Sequence, residues 1–350
     1  MMLNKTSPAN GDDRLIASWL LLCAVLIFAM VILGGVTRLT GSGLSMVNWH
    51  PIHGSIPPVS AEEWEEEFAN YRKSPEFIKK NHQMTVDGFK QIFYFEYSHR
   101  MLGRFIGLVF LLPFLYFYFA RKIKPGLTPR LIVMFFLGGL QGLLGWYMVK
   151  SGLVDNPQVS QYRLSAHLIS AILIYGFILW TAFGLLNTQA YVERKASTVA
   201  GLRKAVHYLM LLVVITILSG GFVAGLKAGK IFNTFPLMDG HWVPPGLFAL
   251  QPLYLNFFEN MVTVQFDHRL LAIVTAVLLL AYWLASRRHQ LDKMTASSFT
   301  LVALLVVIQV TLGISTLLLH VPVWLGATHQ AGALLLFTAL LFNMHRLTRR

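Results

Sequence analysis

Apolar residues in this chain fall in long blocks, not in stripes. Eight stretches are apolar on every face: Leu15–Val36, Met101–Ala120, Leu131–Val149, Leu164–Leu186, Val206–Gly225, Leu270–Ala285, Phe299–Leu319 and Val323–Phe342. A helix that is apolar all round is buried, in protein or in lipid, and crossing a bilayer takes roughly 20 such residues. The pattern predicts an all-α integral membrane protein with eight transmembrane helices. The first stretch is longer than a signal-peptide core and has no small-x-small site beside it, so it reads as an uncleaved span. Polar residues gather in two outer loops, near Arg38–Tyr97 and Leu226–Asp267. In the first, Ser60 with Glu63 forms a capping box. Trp64, Phe68 and Tyr71 then recur at helical spacing, which predicts a short amphipathic helix. The aromatic-rich stretch Asp87–Tyr97 predicts another. The second loop carries Phe232, Phe235, Trp242 and several prolines, and reads as an ordered cap.

Composition agrees with lipid as the solvent. Of 350 residues, 55% are hydrophobic and 13% charged, against roughly 25% charged in soluble domains. The net charge of +13 on its own would suggest a nucleic-acid partner, but its distribution excludes that reading. Arg121, Lys122, Lys124 and Arg130 share one short loop, and Arg194, Lys195, Arg203 and Lys204 the next but one. Arg287, Arg288 and Lys293 follow, then Arg346, Arg349 and Arg350. Basic residues in alternate loops mark the cytoplasmic side, which puts both termini inside and the loops after odd-numbered spans outside. The leader Met1–Arg14 contains Asp12 and Asp13, unlike an Arg-rich mitochondrial presequence, so a bacterial inner membrane is the simpler location. The single cysteine, Cys23, has no partner for an internal disulfide and reads as a small packing residue in span 1.

The two halves of the chain echo each other. Gly34-Gly35 ends span 1 and Gly220-Gly221 lies near the end of span 5. Gln141-Gly142-Leu143-Leu144-Gly145 in span 3 resembles Gln309-Val310-Thr311-Leu312-Gly313 in span 7. His99-Arg100 opens span 2 as His268-Arg269 opens span 6; His167 begins span 4 as His329 begins span 8. Four spans per half send both halves into the membrane in the same direction, which predicts parallel repeats, each a four-helix bundle of the kind that holds cofactors between facing helices. The organisation expected is an N-terminal segment 1–14, a first half 15–186 with outer loop 38–97, a linker 187–205, a second half 206–346 with outer loop 226–267, and a tail 347–350.

Four histidines at matched places change what a histidine means. An ionisable group at membrane depth is functional by default. His99, His167, His268 and His329 each fall in the first turn or two of an even-numbered span, near the outer surface. Zinc would ask for a tetrahedral set, often with Cys or carboxylate. Imidazoles paired on facing helices suit a six-coordinate heme iron, one heme per half: His99 with His167, and His268 with His329. Arg100, Arg104 and Arg269 stand beside them, either as forks for heme propionates or with their heads drawn to the lipid surface. The halves differ at one point. Glu96 lies three residues before His99, where Gln265 lies three before His268. A carboxylate at a heme edge can take up protons in an oxidation; an amide cannot. The alternative is that Glu96 is a solvated residue at a helix start. Among the other histidines, His50, His53, His82, His241 and His320 read as outer-side residues. His207, His289 and His345 read as capping or solvating residues near the inner side.

Several longer runs carry a resemblance. TGSGLSMVNWHPIHGSIPP (Thr40–Pro58), FEYSHRMLGR (Phe95–Arg104), AGLKAGKIFNTFPLMDGHWVPP (Ala224–Pro245), VQFDHR (Val264–Arg269) and THQ (Thr328–Gln330) resemble the heme A synthase family, in its proteobacterial and mitochondrial branch. The resemblance covers nearly the whole chain. It implies oxidation of the C8 methyl group of heme O to a formyl group, through a hydroxymethyl stage and with oxygen from water. It implies a heme b cofactor ligated by His268 and His329, a substrate heme O near His99 and His167, and an essential glutamate at Glu96. It also implies heme O supplied by heme O synthase, an electron acceptor that it leaves unidentified, and frequent homo-oligomers. The cysteine pair that Bacillus-type members carry in the first outer loop is not present here. A diheme b-type electron-transfer cytochrome is the alternative that accounts for the histidines alone. A transporter of parallel repeats draws little support from Pro113, the one proline well inside a span.

Overall fold

A computed structural model describes residues 11–47, 56–153, 157–186 and 199–348. His50, His53, Arg194, Lys195, Arg349 and Arg350 lie outside the described residues, as do residues 1–10 of the leader and 187–198 of the linker. In chain order the helices are α1 (Gly11–Leu39), α2 (Ala61–Arg72), α3 (Pro75–Lys79), α4 (Val86–Phe119), α5 (Thr128–Gly152), α6 (Gln161–Leu185), α7 (Ala200–Leu226), α8 (Asn256–Glu259), α9 (Met261–Ser286), α10 (Lys293–Leu318) and α11 (Val323–Thr348). Among the described residues, eight of these are long and apolar enough to cross a membrane. Among the described residues the only pairing of extended backbone is the Met238–His241 bridge. The chain is an all-helical, multi-pass membrane protein, as its hydrophobic blocks predict.

One boundary differs from expectation. Asp87–Tyr97 is not a separate helix but the first turns of α4, which runs unbroken from Val86. Thr85 caps it, its side chain accepting from Gly88 N. Phe89 and Phe93 then pack on Trp64, Phe68 and Tyr71 of α2, whose capping box of Ser60 and Glu63 forms as predicted. Aromatic contact with α2 therefore starts the helix several turns before the apolar stretch that opens at Met101.

In the first half α1 packs on α4 and α6, with α5 against α4 and α6; in the second, α7 packs on α9 and α11, with α10 against both. The halves meet where α1 touches α11 and α6 touches α7. Lipid tails are as apolar as leucine, so helices in a bilayer associate through close packing and polar contacts. The α6–α7 seam shows it: a Cβ on Gly225 would lie 2.6 Å from Gln161 Cα, and one on Gly221 2.8 Å from Ser165 Oγ. Across the other seam Gln330 Nε2 donates to Val31 O at 3.0 Å, where a Cβ on Gly35 would clash with the Gln330 amide oxygen. Cys23 is fully buried in the central core.

Pro113 interrupts α4 without breaking it. Proline has no N–H, so the carbonyl of Val109, four residues back, loses its helical partner. In lipid that group must be satisfied from elsewhere. Trp19 of α1 does so, its indole Nε1 donating to Val109 O at 2.8 Å, while its ring packs on Phe110 and Phe117.

Charge pairs tie together the ends expected to be cytoplasmic: Asp12 with Lys122, Asp13 with Lys124, and Asp292 with Arg346. Tyr282 donates to Asn343, which donates to Ser298. His345 departs from its expected solvating role. α11 continues past Phe342, and its last turns lie under α6, so His345 is buried between Trp180 and Phe183.

On the opposite face α2, α3 and the head of α4 form a small second core. It holds Glu76, whose side chain accepts from Tyr71 OH at 3.3 Å. Burial pushes this carboxyl up from its ordinary value to about 7; the nearby charge of Glu96 acts in the same direction, while Tyr71, Lys80 and Lys227 act against it. Arg38 also lies within its electrostatic reach.

Two tests follow from these contacts. Trp19→Phe keeps the ring packing but strands Val109 O, and should destabilise the protein by about 1–3 kcal/mol. Pro113→Ala restores an N–H to that carbonyl, so the same Trp19→Phe change in a Pro113→Ala background should cost much less; additive effects in a double-mutant cycle would refute the pairing. Glu76 binds a proton more tightly folded than unfolded, so its contribution is greatest at low pH and declines as pH rises from its ordinary value through about 7. Glu76→Gln should abolish that decline and gain on the order of 2–3 kcal/mol over the parent above neutrality. Thermal unfolding in detergent across this range reads it out, and parallel pH profiles would show that Glu76 is not the group responsible.

Candidate functional site

Each of the four matched histidines sits on a glycine of the preceding span. A Cβ on Gly34 of α1 would lie 3.1 Å from His99 Nε2 on α4. One on Gly145 of α5 would lie 3.0 Å from His167 Cε1 on α6. In the second half, Gly220 of α7 faces His268 on α9 at 3.1 Å, and Gly313 of α10 faces His329 on α11 at 2.9 Å. Contacts this short leave no room for a side chain, so glycine sets where each ring can lie. All four rings are half-buried and keep accessible surface. His99 lies within electrostatic reach of His167, and His329 of His268. His167, His268 and His329 lie near the starts of their helices, as read from sequence. His99 does not: with α4 starting at Val86, it falls about four turns in.

The ring nitrogens are held in different ways. Gln141 Nε2 donates to His167 O at 2.8 Å and lies 3.1 Å from its Nδ1. Gln309 repeats this on His329, at 3.0 and 3.1 Å. The sequence shows these glutamines only as markers of the repeat. His268 has a further partner that sequence reasoning missed, Ser219, whose Oγ lies 2.8 Å from Nδ1. Its only signal in the sequence is its place beside Gly220. The side-chain hydrogen bonds to these rings fall on Nδ1, and among the described residues there is no group of three or more His, Cys, Asp and Glu that could hold a metal ion. Paired imidazoles with Nε2 unengaged fit an iron that brings its own equatorial ring, and do not fit a tetrahedral zinc.

Above each pair the chain closes with a clasp. In the first half Glu96 is buried, 3% exposed. Its Oε2 accepts from Ser45 Oγ at 2.7 Å and Met46 N at 2.9 Å; its Oε1 pairs with Arg100, one turn on. Arg100 also donates to Met46 O at 3.1 Å. In the second half Gln265 Nε2 donates to Phe232 O at 2.9 Å, and Arg269 to Phe232 O at 2.8 Å and Thr234 O at 2.9 Å. Met46 and Phe232 stand at the same separation in sequence as Gly34 and Gly220. The outer loops are therefore tied to matched positions, once through a carboxylate and once through an amide. Glu96 is neither solvated nor at a helix start, and Arg100 and Arg269 do not reach out to the lipid surface: loop carbonyls hold both. Arg104 lies with Nη1 3.7 Å from Met101 Sδ.

The chain is similar to known proteins over nearly its whole length. A family model described as COX15-CtaA, cytochrome oxidase assembly protein, matches residues 17–341. The heme A synthase of Nitrosospira multiformis is 52% identical over 349 residues, covering 99% of this chain and 97% of that protein. That of Parvibaculum lavamentivorans is 44% identical over 347 residues, 99% of this chain and 98% of its own. The heme A synthase COX15 of Homo sapiens is 47% identical over 348 residues, 98% of this chain and 85% of its own.

Proposed function

The chain belongs to the COX15-CtaA family of cytochrome oxidase assembly proteins, and we propose that it synthesises heme A. As an oxidoreductase it converts the C8 methyl group of heme O to a formyl group through a hydroxymethyl intermediate, with oxygen from water. The observation that carries this reading is an asymmetry. Four histidines rest on glycines at matched places in the two halves, and among the described residues only the first half has a buried carboxylate, Glu96, nearly a turn from its first histidine.

Heme O is assigned to the first half, residues 15–186, with His99 and His167 at its iron. A resident heme b is assigned to the second, residues 206–346, where His268 and His329 would hold its iron. Arg100, Arg104 and Arg269 flank these histidines and are the candidate partners of propionate carboxylates. When bound, heme b supplies one-electron transfer toward an acceptor outside the chain. Taking a methyl to a formyl with oxygen from water releases electrons and protons in equal number, so the substrate side needs a proton acceptor or a group that stabilises positive charge. Glu96 supplies it. Ser45, Met46 and Arg100 fix the carboxylate in advance, which is how a site acts on charge that develops only during reaction. Alternation of basic loops supports a bacterial inner membrane, cytoplasmic termini, and heme sites toward the periplasmic face. Delivery of heme O by heme O synthase and a homo-oligomeric assembly belong to the same proposal.

The second half shows that an amide fits the clasp, since Gln265 occupies the place of Glu96. Glu96→Gln should therefore keep the fold and the bound heme while lowering heme A formation about 100-fold or more. Chromatography of hemes extracted from protein made in a host with heme O but no heme A measures it. Normal heme A from the variant would remove Glu96 from the mechanism. Heme B alone from the parent, at two per chain, would replace the synthase reading with an electron-transfer cytochrome.

A further inference from the structure

On the reading above, two hemes of opposite fate share one chain: a substrate that must leave as product and a cofactor that must stay. A neutral imidazole that binds iron through Nε2 carries its proton on Nδ1, and what accepts that proton fixes the ring and raises its basicity. Ser219 donates its single hydroxyl proton to Thr216 O at 2.8 Å. Its oxygen, 2.8 Å from His268 Nδ1, is thereby left to accept the ring N–H alongside Thr216 O, which also bonds this ring, and Nε2 keeps its lone pair. At the matched place in the first half, the residue before Gly34 is Leu33, which has nothing to offer. Among the described residues His99 has no hydrogen-bond partner at either nitrogen.

The other histidine of each pair points the same way. In the first half Gln141 Nε2 donates to His167 O at 2.8 Å and its Oε1 lies 2.6 Å from Ser170 Oγ, so the amide is held at both ends with its N–H, not its oxygen, toward His167 Nδ1. A donor there opposes the protonated Nδ1 that iron binding through Nε2 requires. In the second half Gln309 Nε2 makes the same two contacts to His329, but the residue matched to Ser170 is Gly332 and Gln309 Oε1 is buried with no hydrogen-bond partner among the described residues, so that amide is held at one end only.

We propose that Ser219 is a positioning residue that locks His268 as a lasting iron ligand, while Leu33 and Ser170 leave the first half a site of heme exchange. The inference rests on the assignment of heme b to the second half. It makes retention a property of two serines and not of the histidines, which the halves share.

The test uses the full-length protein in detergent, loaded with heme B and mixed with excess apomyoglobin as scavenger. Ser219→Ala should release heme about 10- to 100-fold faster, raise the reduction potential, and add a high-spin fraction to the low-spin spectrum. Ser219→Thr, which keeps the hydroxyl, should restore all three. With heme O loaded instead, Ser170→Ala should slow its release. Loss of the parent's low-spin heme in His268→Ala, with Ser219→Ala indistinguishable from the parent, would overturn the inference and leave the heme assignment standing. Survival of that heme in His268→Ala would overturn both.

Discussion

Close approach between helices is the constraint on which this molecule depends. In lipid, burying apolar side chains gains almost nothing, so helices are held by van der Waals contact at short range and by polar groups that find partners. Glycine supplies the short range. Gly34, Gly145, Gly220 and Gly313 each give up a side chain to a histidine on the neighbouring helix, and Gly221 and Gly225 let α6 and α7 touch at backbone distance. The ring positions are consequently set by helix spacing, and helix spacing by the same glycines. A polar group that lacks a local partner is served across a seam: Trp19 answers the carbonyl freed by Pro113, and Gln330 reaches Val31 O.

The outer loops extend this logic past the bilayer. Arg38, at the end of α1, donates to Ala224 O and Gly225 O in the last turn of α7, a cation placed where the helix dipole is negative. This contact binds the two halves on the outer face. Glu96 with Arg100, and Gln265 with Arg269, then hold the loops down over the histidines. A buried ion pair is weak evidence for stability, since desolvation offsets much of its attraction. The amide at Gln265 does the same mechanical work without charge. The carboxylate at Glu96 is thus not needed for the clasp, and its charge is available for chemistry.

How much could be read from sequence followed how local the cause was. The capping box at Ser60 and Glu63 and the eight apolar blocks are local, and the structure has them where expected. The histidines were legible because a repeat doubled the signal. The start of α4 was not, since it depends on Phe89 and Phe93 finding Trp64 and Tyr71 across a loop. Nor was the burial of His345, which follows from α6 covering the end of α11. Ser219 stayed hidden because a serine inside an apolar helix usually bonds its own backbone, which Ser219 also does. Its second contact, to His268, exists only once α7 and α9 are packed.

Two like halves would by themselves give two like sites, whereas the proposed oxidation asks one site to release its heme and the other to keep it. The differences that break the equivalence are few and small: Glu96 against Gln265, Leu33 against Ser219, Ser170 against Gly332. Inequality has been introduced only at groups next to the ligands, where a hydroxyl or a carboxylate alters proton position and charge without moving a backbone. The seams tolerate no such change, because a single Cβ at Gly225 or Gly313 would meet another atom within 3 Å. The scaffold is rigid where the halves agree, and the chemistry is carried where they differ.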